Sequence, residues 1–499
     1  MRLLASVALA ALVAACSGQE EDAAPEPIIA DAADCARVDA AMLGATEASG
    51  KWVEAAEELP AYCEVTATLS PAEGSAIGVV YRLPAEWNGK LLGIGGGGWA
   101  GNVTLMAASE GLRKGYATLQ TDGGHASTDV WDNGWAANPE AAKDFSWRGV
   151  HEMTVAGKQL AEAFYEEPHR RAYFQGCSTG GRMALMEAQR FPADYDAISA
   201  GAPVYTLQVQ TSAVLRNNTF AKNGGGFSEA DLKLVQDSAL AACDASDGLK
   251  DGLINDPRQC TWDPADLQCS GTKTASCLAP AQVTALEAIY EGLKTPKGEW
   301  AMLPMNRGGE AGWSFFVGTA GTGEDATGGG GLKGLLPLLF PGRTVNLATF
   351  TMADVQQVRD SDFAAMYEAK EPGLAEFFAR GGKLLLWHGE SDPGPSPVGT
   401  TDYAKAVLAD SDQAGQSMRY FLLPGVGHCR GGPGADNVEW LDTLDAWAEG
   451  GEAPARVTGT KEDGSLTRPH CAWPNVARYG GEGEPNDPAN WQCVARAES

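Results

Sequence analysis

The sequence predicts an α/β fold, a largely parallel sheet flanked by helices and interrupted by one large insertion that caps the sheet's carboxyl edge. Three observations lead there. Short apolar runs at residues 90–95, 116–121, 172–175 and 195–203 alternate with helical stretches, and strands alternating with helices build parallel sheets. The run Ala172-Tyr173-Phe174-Gln175 stops in Gly176-Cys177-Ser178-Thr179-Gly180-Gly181-Arg182, a sharp strand-to-helix turn with small residues two places either side of a serine. The alternation then breaks from residue 205 to 371 and resumes at residues 383–389 and 418–424.

Length and composition bound the rest. The chain has 499 residues, 44% of them hydrophobic and 20% charged, with 62 glycines that point to many tight turns. Lys and Arg total 37 against 65 Asp and Glu, a formal charge of −28. That argues against nucleic acid as a partner and against an acidic polymer as substrate. Residues 1–16 read as an export signal: one positive charge at Arg2, an apolar core too short to span a bilayer, and small residues before a cysteine. The ending Val13-Ala14-Ala15-Cys16 resembles a bacterial lipoprotein signal, which implies cleavage before Cys16, a lipid on that residue, and an envelope location in the outer membrane or periplasm. Release as a soluble secreted protein is the other reading. Residues 17–34, rich in Ala, Glu, Asp and Pro, read as a flexible tether. The core is then expected over 35–204 and 372–499, with the inserted lid over 205–371.

Cysteine usage fits export. Of 11 cysteines, Cys16 aside, an even number remains, which in an exported chain reads as a disulfide framework. Local spacing pairs Cys35 with Cys63, Cys243 with Cys260, Cys269 with Cys277, and Cys471 with Cys493. Cys177 and Cys429 are left as the remaining pair, and that bond would tie two loops together. A metal site is the competing reading, against which stands the absence of any Cys-x-x-Cys spacing.

Along the chain, residues 77–84 and 90–95 read as strand, turn and strand. The second strand runs into Gly95-Gly96-Gly97-Gly98-Trp99, a loop whose backbone can approach a substrate carbonyl because no Cβ intervenes. Residues 116–121 form a strand ending in Asp122-Gly123-Gly124-His125, and residues 147–165 have helical periodicity. The serine turn follows: G-x-S-x-G is the nucleophile elbow, which lifts a serine Oγ clear of the sheet and aims the first helical N–H groups at the space above it. Inside the insertion, residues 227–242 and 280–293 read as helices. The two late strands each end in a loop with a candidate catalytic group, Glu390-Ser391-Asp392-Pro393 and Gly425-Val426-Gly427-His428-Cys429.

Acyl transfer needs a nucleophile, a base within reach of it, and an acid that fixes the imidazole tautomer. The chain order Ser178, Asp392, His428 is that of the α/β-hydrolase fold. Six histidines are present. His169 and His470 read as loop residues, His125 and His388 as post-strand structural or pocket-lining groups, and His151 as helical. His428 alone sits in a late post-strand loop beside a cysteine. Glu390 is a rival to Asp392 as the acid.

These residues together resemble the tannase and feruloyl esterase family, which also includes mono(hydroxyethyl) terephthalate hydrolase. The resemblance covers nearly the whole mature chain: residues 84–90, the glycine loop, residues 121–125, the elbow, Ala200-Gly201-Ala202-Pro203, and His428-Cys429-Arg430-Gly431-Gly432-Pro433-Gly434. It implies a triad of Ser178, Asp392 and His428, a Cys177 to Cys429 bond, and an oxyanion hole built from the N–H groups of Gly98 and Thr179. Asp244, Asp247 and Asp251, at i, i+3 and i+7 in a Gly-containing loop, read alone as a solvated acidic loop. By resemblance they supply carboxylates to a structural calcium ion in the lid, with carbonyls from Leu249 and Leu253. Residues 312–318 resemble the aromatic lid segment that faces substrate, which implies Trp313 and Phe316 as substrate-binding groups, with lid core as the plainer reading of both. Trp313 stands where the terephthalate monoester hydrolase carries an arginine, so an uncharged hydroxycinnamoyl or galloyl ester is the expected substrate.

The expectation is therefore an exported serine esterase that cleaves small aromatic esters through an acyl-enzyme. Terephthalate monoester hydrolysis, a non-catalytic lipoprotein that binds an aromatic ligand, and peptidase activity on the same triad are the alternatives.

Overall fold

The computed structural model describes residues 26–101, 103–222, 226–315 and 331–496. Nine strands form one mixed sheet: β1 (Glu47–Val53), β2 (Tyr62–Leu69), β3 (Ile77–Pro84), β4 (Lys90–Ile94), β5 (Ala117–Thr121), β6 (Arg171–Cys177), β7 (Ala197–Gly201), β8 (Lys383–Gly389) and β9 (Met418–Leu423). Their order across the sheet is β9-β8-β7-β6-β4-β5-β3-β2-β1. The strands from β4 to β9 run parallel, and β3, β2 and β1 add antiparallel to one edge. Residues 77–84 and 90–94 are strands as expected, and β5 lies between them in the sheet.

Period-two side-chain direction builds the core. In β8, Leu384 and Leu386 enter the cluster that holds Phe174, Leu185 and Met186, while Leu385 and Trp387 enter the opposite one with Tyr173, Phe421 and Leu441. Burying each leucine is worth about 2 kcal/mol, so the central parallel strands form a rigid base. Helices cover both faces: α1 (Leu105–Arg113), α2 (Gly149–Tyr165), α3 (Thr179–Arg190) and, late in the chain, residues 397–410 and 440–448.

Between β7 and β8 the chain leaves the sheet for the insertion. Its helices α4 (Gln208–Lys222), α5 (Glu229–Cys243) and α6 (Pro280–Glu291) surround their own apolar cluster, which includes Phe220, Val235, Leu286 and Trp313. Ser228 and Asp231 close a capping box at the start of α5. Arg182 on α3 staples the insertion to the core, its guanidinium donating to the carbonyls of Ser146 at 2.5 Å, Phe145 at 3.1 Å and Tyr367 at 3.2 Å.

Several expectations are corrected. Residues 28–34, expected within the tether, are part of the fold: Ile28–Ile29 pairs with Glu86–Trp87, and Asp31 caps the helix Ala32–Ala36. Residues 1–25, with Cys16, lie outside the described residues. The edge strands β1 and β2 escaped the sequence reading because β1 is polar and half-exposed. Two small sheets near the C-terminus, with strands Arg456–Thr460 and Thr467–Cys471 in one and Asn475–Tyr479 and Trp491–Ala495 in the other, were likewise unread. His470 lies buried in one of those strands rather than in a polar loop.

Candidate active site

In a parallel sheet ligands bind where consecutive connections leave in opposite directions, at the carboxyl ends of the strands. Here that place lies between β4 and β6, adjacent strands whose exit loops are the glycine loop and the serine elbow. Ser178 has φ 63° and ψ −121°, a strained conformation for a non-glycine residue, worth on the order of 1–3 kcal/mol. Backbone bonds hold it: Ser178 N–H donates to Gly201 O at 3.0 Å, and its carbonyl accepts from Arg182 and Val204 N–H, each at 3.1 Å. Although Ser178 is the N-cap of α3, its hydroxyl makes no capping bond, so Oγ is not spent on the helix. A Cβ on Gly176 or on Gly95 would stand 2.5 Å from the Gly180 backbone, so elbow and glycine loop touch backbone to backbone.

Gly98 has φ +60°, and a Cβ there would run into the Val130 carbonyl. Its own carbonyl accepts from Thr179 Oγ1 at 2.7 Å. The two residues expected to offer oxyanion N–H groups are thus fastened to each other beside Ser178.

The candidate acid and base come from the loops after β8 and β9. Asp392 Oδ2 lies 2.7 Å from His428 Nδ1, and Asp392 Oδ1 accepts from Gly394 N–H at 2.8 Å. Burial works to raise the Asp392 carboxyl, but the charge and hydrogen bonds of His428 and His388 overcome it and hold the group down at about 2. Glu390, the rival acid, points elsewhere, toward Asn306 at 2.6 Å and Arg496 at 3.4 Å.

All five expected disulfides form. Cys177 to Cys429 joins the residue before Ser178 to the residue after His428. Ser178, Thr179, Gly98 and His428 all line one cavity of about 380 Å³, whose apolar walls include Val130, Trp131 and Val209.

A family profile described as "Tannase and feruloyl esterase" matches residues 63–328 and 339–494. The chain belongs to the tannase and feruloyl esterase family. Membership makes it a carboxylic ester hydrolase with the α/β-hydrolase fold. It is 33% identical over 518 residues to the mono(2-hydroxyethyl) terephthalate hydrolase of Piscinibacter sakaiensis, spanning 88% of this chain and 86% of that one. It is 30% identical over 460 residues to feruloyl esterase B of Aspergillus niger, spanning 87% and 86%. The crystal structure of feruloyl esterase B from Aspergillus oryzae superposes with a TM-score of 0.82 at 27% identity, covering 93% of this chain and 99% of that chain.

In this esterase the lid residues divide. Trp313 is packed in the lid core, with its ring centroid 6.0 Å from that of Tyr290, and is absent from the cavity wall. Phe316 lies outside the described residues. The acidic loop is folded on itself: Asp244 accepts from the N–H groups of Asp251 and Gly252, Asp247 from Leu249, and Asp251 from Leu253. Asp251 also pairs with Arg468 at 2.6 Å, which fixes the loop to the C-terminal strands. Asp247 Oδ2 is buried without a partner. Burial, and then the charges of Asp251 and Asp244, push its carboxyl up to about 6 against the pull of the Leu249 N–H.

Two residues were missed by sequence reasoning. His388, read as structural or pocket-lining, is fully buried within β8 and places Nε2 3.1 Å from Asp392 Oδ2, the same oxygen that faces His428. Nε2 also lies 3.1 Å from Pro395 O, and Nδ1 lies 2.8 Å from Thr400 Oγ1. With two acceptors at Nε2, that nitrogen carries the proton, and Nδ1 can accept from the threonine hydroxyl. The signal was the i, i+4 spacing of His388 and Asp392. Arg216 lines the cavity from α4, and nothing in the helix sequence singled it out.

Proposed function

We propose that this protein is an exported serine esterase that cleaves esters of aromatic carboxylic acids through an acyl-enzyme. The observation that carries the proposal is the meeting of the Ser178 elbow and the Asp392–His428 pair at one apolar-walled cavity. His428 takes the Ser178 proton as Oγ attacks the ester carbonyl, then returns it to the departing alcohol. Asp392 receives Nδ1–H, which leaves Nε2 as the base. The N–H groups of Gly98 and Thr179 receive the oxyanion, as the contact between these two residues supports. Water then repeats the cycle in reverse on the acyl-enzyme.

Relatives that act on a terephthalate monoester and on feruloyl esters support aromatic acyl groups. The lid's acidic loop would hold a structural calcium ion, with carboxylates from Asp244, Asp247 and Asp251 and carbonyls from Leu249 and Leu253. The buried, unpartnered Asp247 Oδ2 and the carboxyl pushed up beside two others are what a cation there would relieve. Export rests on the signal at residues 1–16 with lipid at Cys16, and five disulfides are in keeping with an oxidising compartment. Among the described residues no helix is long and apolar enough to cross a membrane.

The test is initial rates on methyl ferulate, methyl gallate, mono(hydroxyethyl) terephthalate and p-nitrophenyl butyrate, with Ser178→Ala alongside. Aromatic esters turned over in a Ser178-dependent way are the expected result. Turnover of p-nitrophenyl butyrate alone removes the aromatic pocket, and a Ser178→Ala rate above about a thousandth of wild type removes the nucleophile.

A further inference from the structure

α4 is the first helix of the lid, and it turns one face to the catalytic cavity. Val209, Ala213 and Arg216, at i, i+4 and i+7, lie on that face with Gln210 at its flank. Arg216 is 2% exposed. A guanidinium has five N–H donors, yet among the described residues only Nη2 finds an acceptor, the Pro393 carbonyl at 3.3 Å. Nε is buried without any partner, and so is Oε1 of Gln210.

The other buried arginines meet more acceptors, although Nε of Arg182 is also unpartnered. Arg148 meets Asp144 and Glu140, Arg82 meets Glu64 and Gln120, and Arg182 meets three carbonyls. Arg216 has no carboxylate in contact. Burial pulls its guanidinium down to about 10, with Asp392 drawing it partly back, so it stays charged at neutral pH. Asp392 is not free to pair with it, because Oδ2 faces His428 and His388 and Oδ1 takes the Gly394 N–H. A buried cation with open donors costs free energy unless something supplies the acceptors, and this one stands in the wall of a substrate cavity. The group that matches a planar fork of N–H donors is a carboxylate.

We propose that Arg216 is a carboxylate subsite, and that the preferred substrates are esters carrying a second, free carboxylate. This rests on the esterase reading above and narrows it. It replaces the expectation of an uncharged acyl group, which depended on Trp313 facing the substrate; Trp313 is lid core, and the cation enters the cavity from a different helix.

The test compares kcat/KM within two matched pairs. Monomethyl terephthalate is set against methyl 4-methylbenzoate, with the carboxylate on the acyl side. 4-Acetoxybenzoate is set against 4-methylphenyl acetate, with the carboxylate on the alcohol side. Wild type, Arg216→Met, Arg216→Lys and Ser178→Ala are assayed. The expected result is a preference for the charged member of one pair by about 100-fold, lost in Arg216→Met and partly kept in Arg216→Lys. Misfolding lowers both members alike and leaves their ratio, so the ratio is the readout. Ser178-dependent cleavage with no carboxylate preference, or with a preference that survives Arg216→Met, overturns the subsite and leaves the esterase reading standing. If no aromatic ester is cleaved through Ser178, both fall.

Discussion

Cys177 and Cys429 stand 252 residues apart in the chain, yet their disulfide brings their Cα atoms to 5.9 Å. Ser178 follows the first and His428 precedes the second. The bond therefore ties the proposed nucleophile to the proposed base, across loops that leave strands β6 and β9, which are not neighbours in the sheet.

Breaking that bond is expected to cost activity before it costs fold. A Cys177→Ala, Cys429→Ala double variant should keep its circular dichroism spectrum while kcat/KM falls about 100-fold, the scale of an ångström-sized misplacement. Equal activity in the two proteins would show that the disulfide has no positioning role.

His388 and His428 share one oxygen of Asp392, so the proposed acid has two imidazole partners, of which only His428 lines the cavity with Ser178. His388→Ala should lower kcat by about 10- to 100-fold with little change in KM, since substrate binding does not involve it. Asp392→Asn should cost about 10⁴-fold, because His428 then settles in the wrong tautomer. Steady-state kinetics on one ester separates the two, and a His388→Ala effect confined to KM would contradict this positioning role.

Asp392 also links stability to acid. Its folded pKa, held at about 2, lies below the unfolded value of about 3.9. Its contribution, on the order of 2 kcal/mol, is therefore complete above about pH 4 and disappears as pH falls through the folded value. The melting-temperature gap between wild type and Asp392→Asn should be widest above pH 4.5 and narrow toward pH 2.5. A gap that stays constant over that range would contradict the depressed carboxyl.

Removal of the proposed calcium ion should loosen the lid. Dialysis against a chelator should lower the melting temperature by several degrees, with recovery on adding Ca²⁺ and not on adding Mg²⁺, which sheds its water reluctantly. Asp247→Ala should melt at the chelated temperature with or without Ca²⁺. Superimposable melts of the untreated and chelated wild type would remove the ion.

What the sequence made legible was whatever local rules determine. The elbow, the glycine loop, the parallel strands and the loops bearing Asp392 and His428 are short motifs with a fixed geometry, and five disulfides followed from spacing and remainder. What it hid depends on tertiary placement. β1 is a polar edge strand without a strong pattern, and the C-terminal strands are short. Trp313 looked like a substrate wall because an aromatic in a lid reads the same whether it faces a cavity or a core. Arg216 was invisible because an arginine in a helix is ordinarily solvated, and only the fold buries this one near Asp392.

The most direct test of the central claim is covalent. Purified enzyme treated with a fluorophosphonate should gain one adduct by intact mass, mapped by peptide fragmentation to Ser178, and the Ser178→Ala protein should gain none. Labelling of another residue, or an unlabelled Ser178 in protein that cleaves esters, would contradict the assignment of Ser178 as the nucleophile.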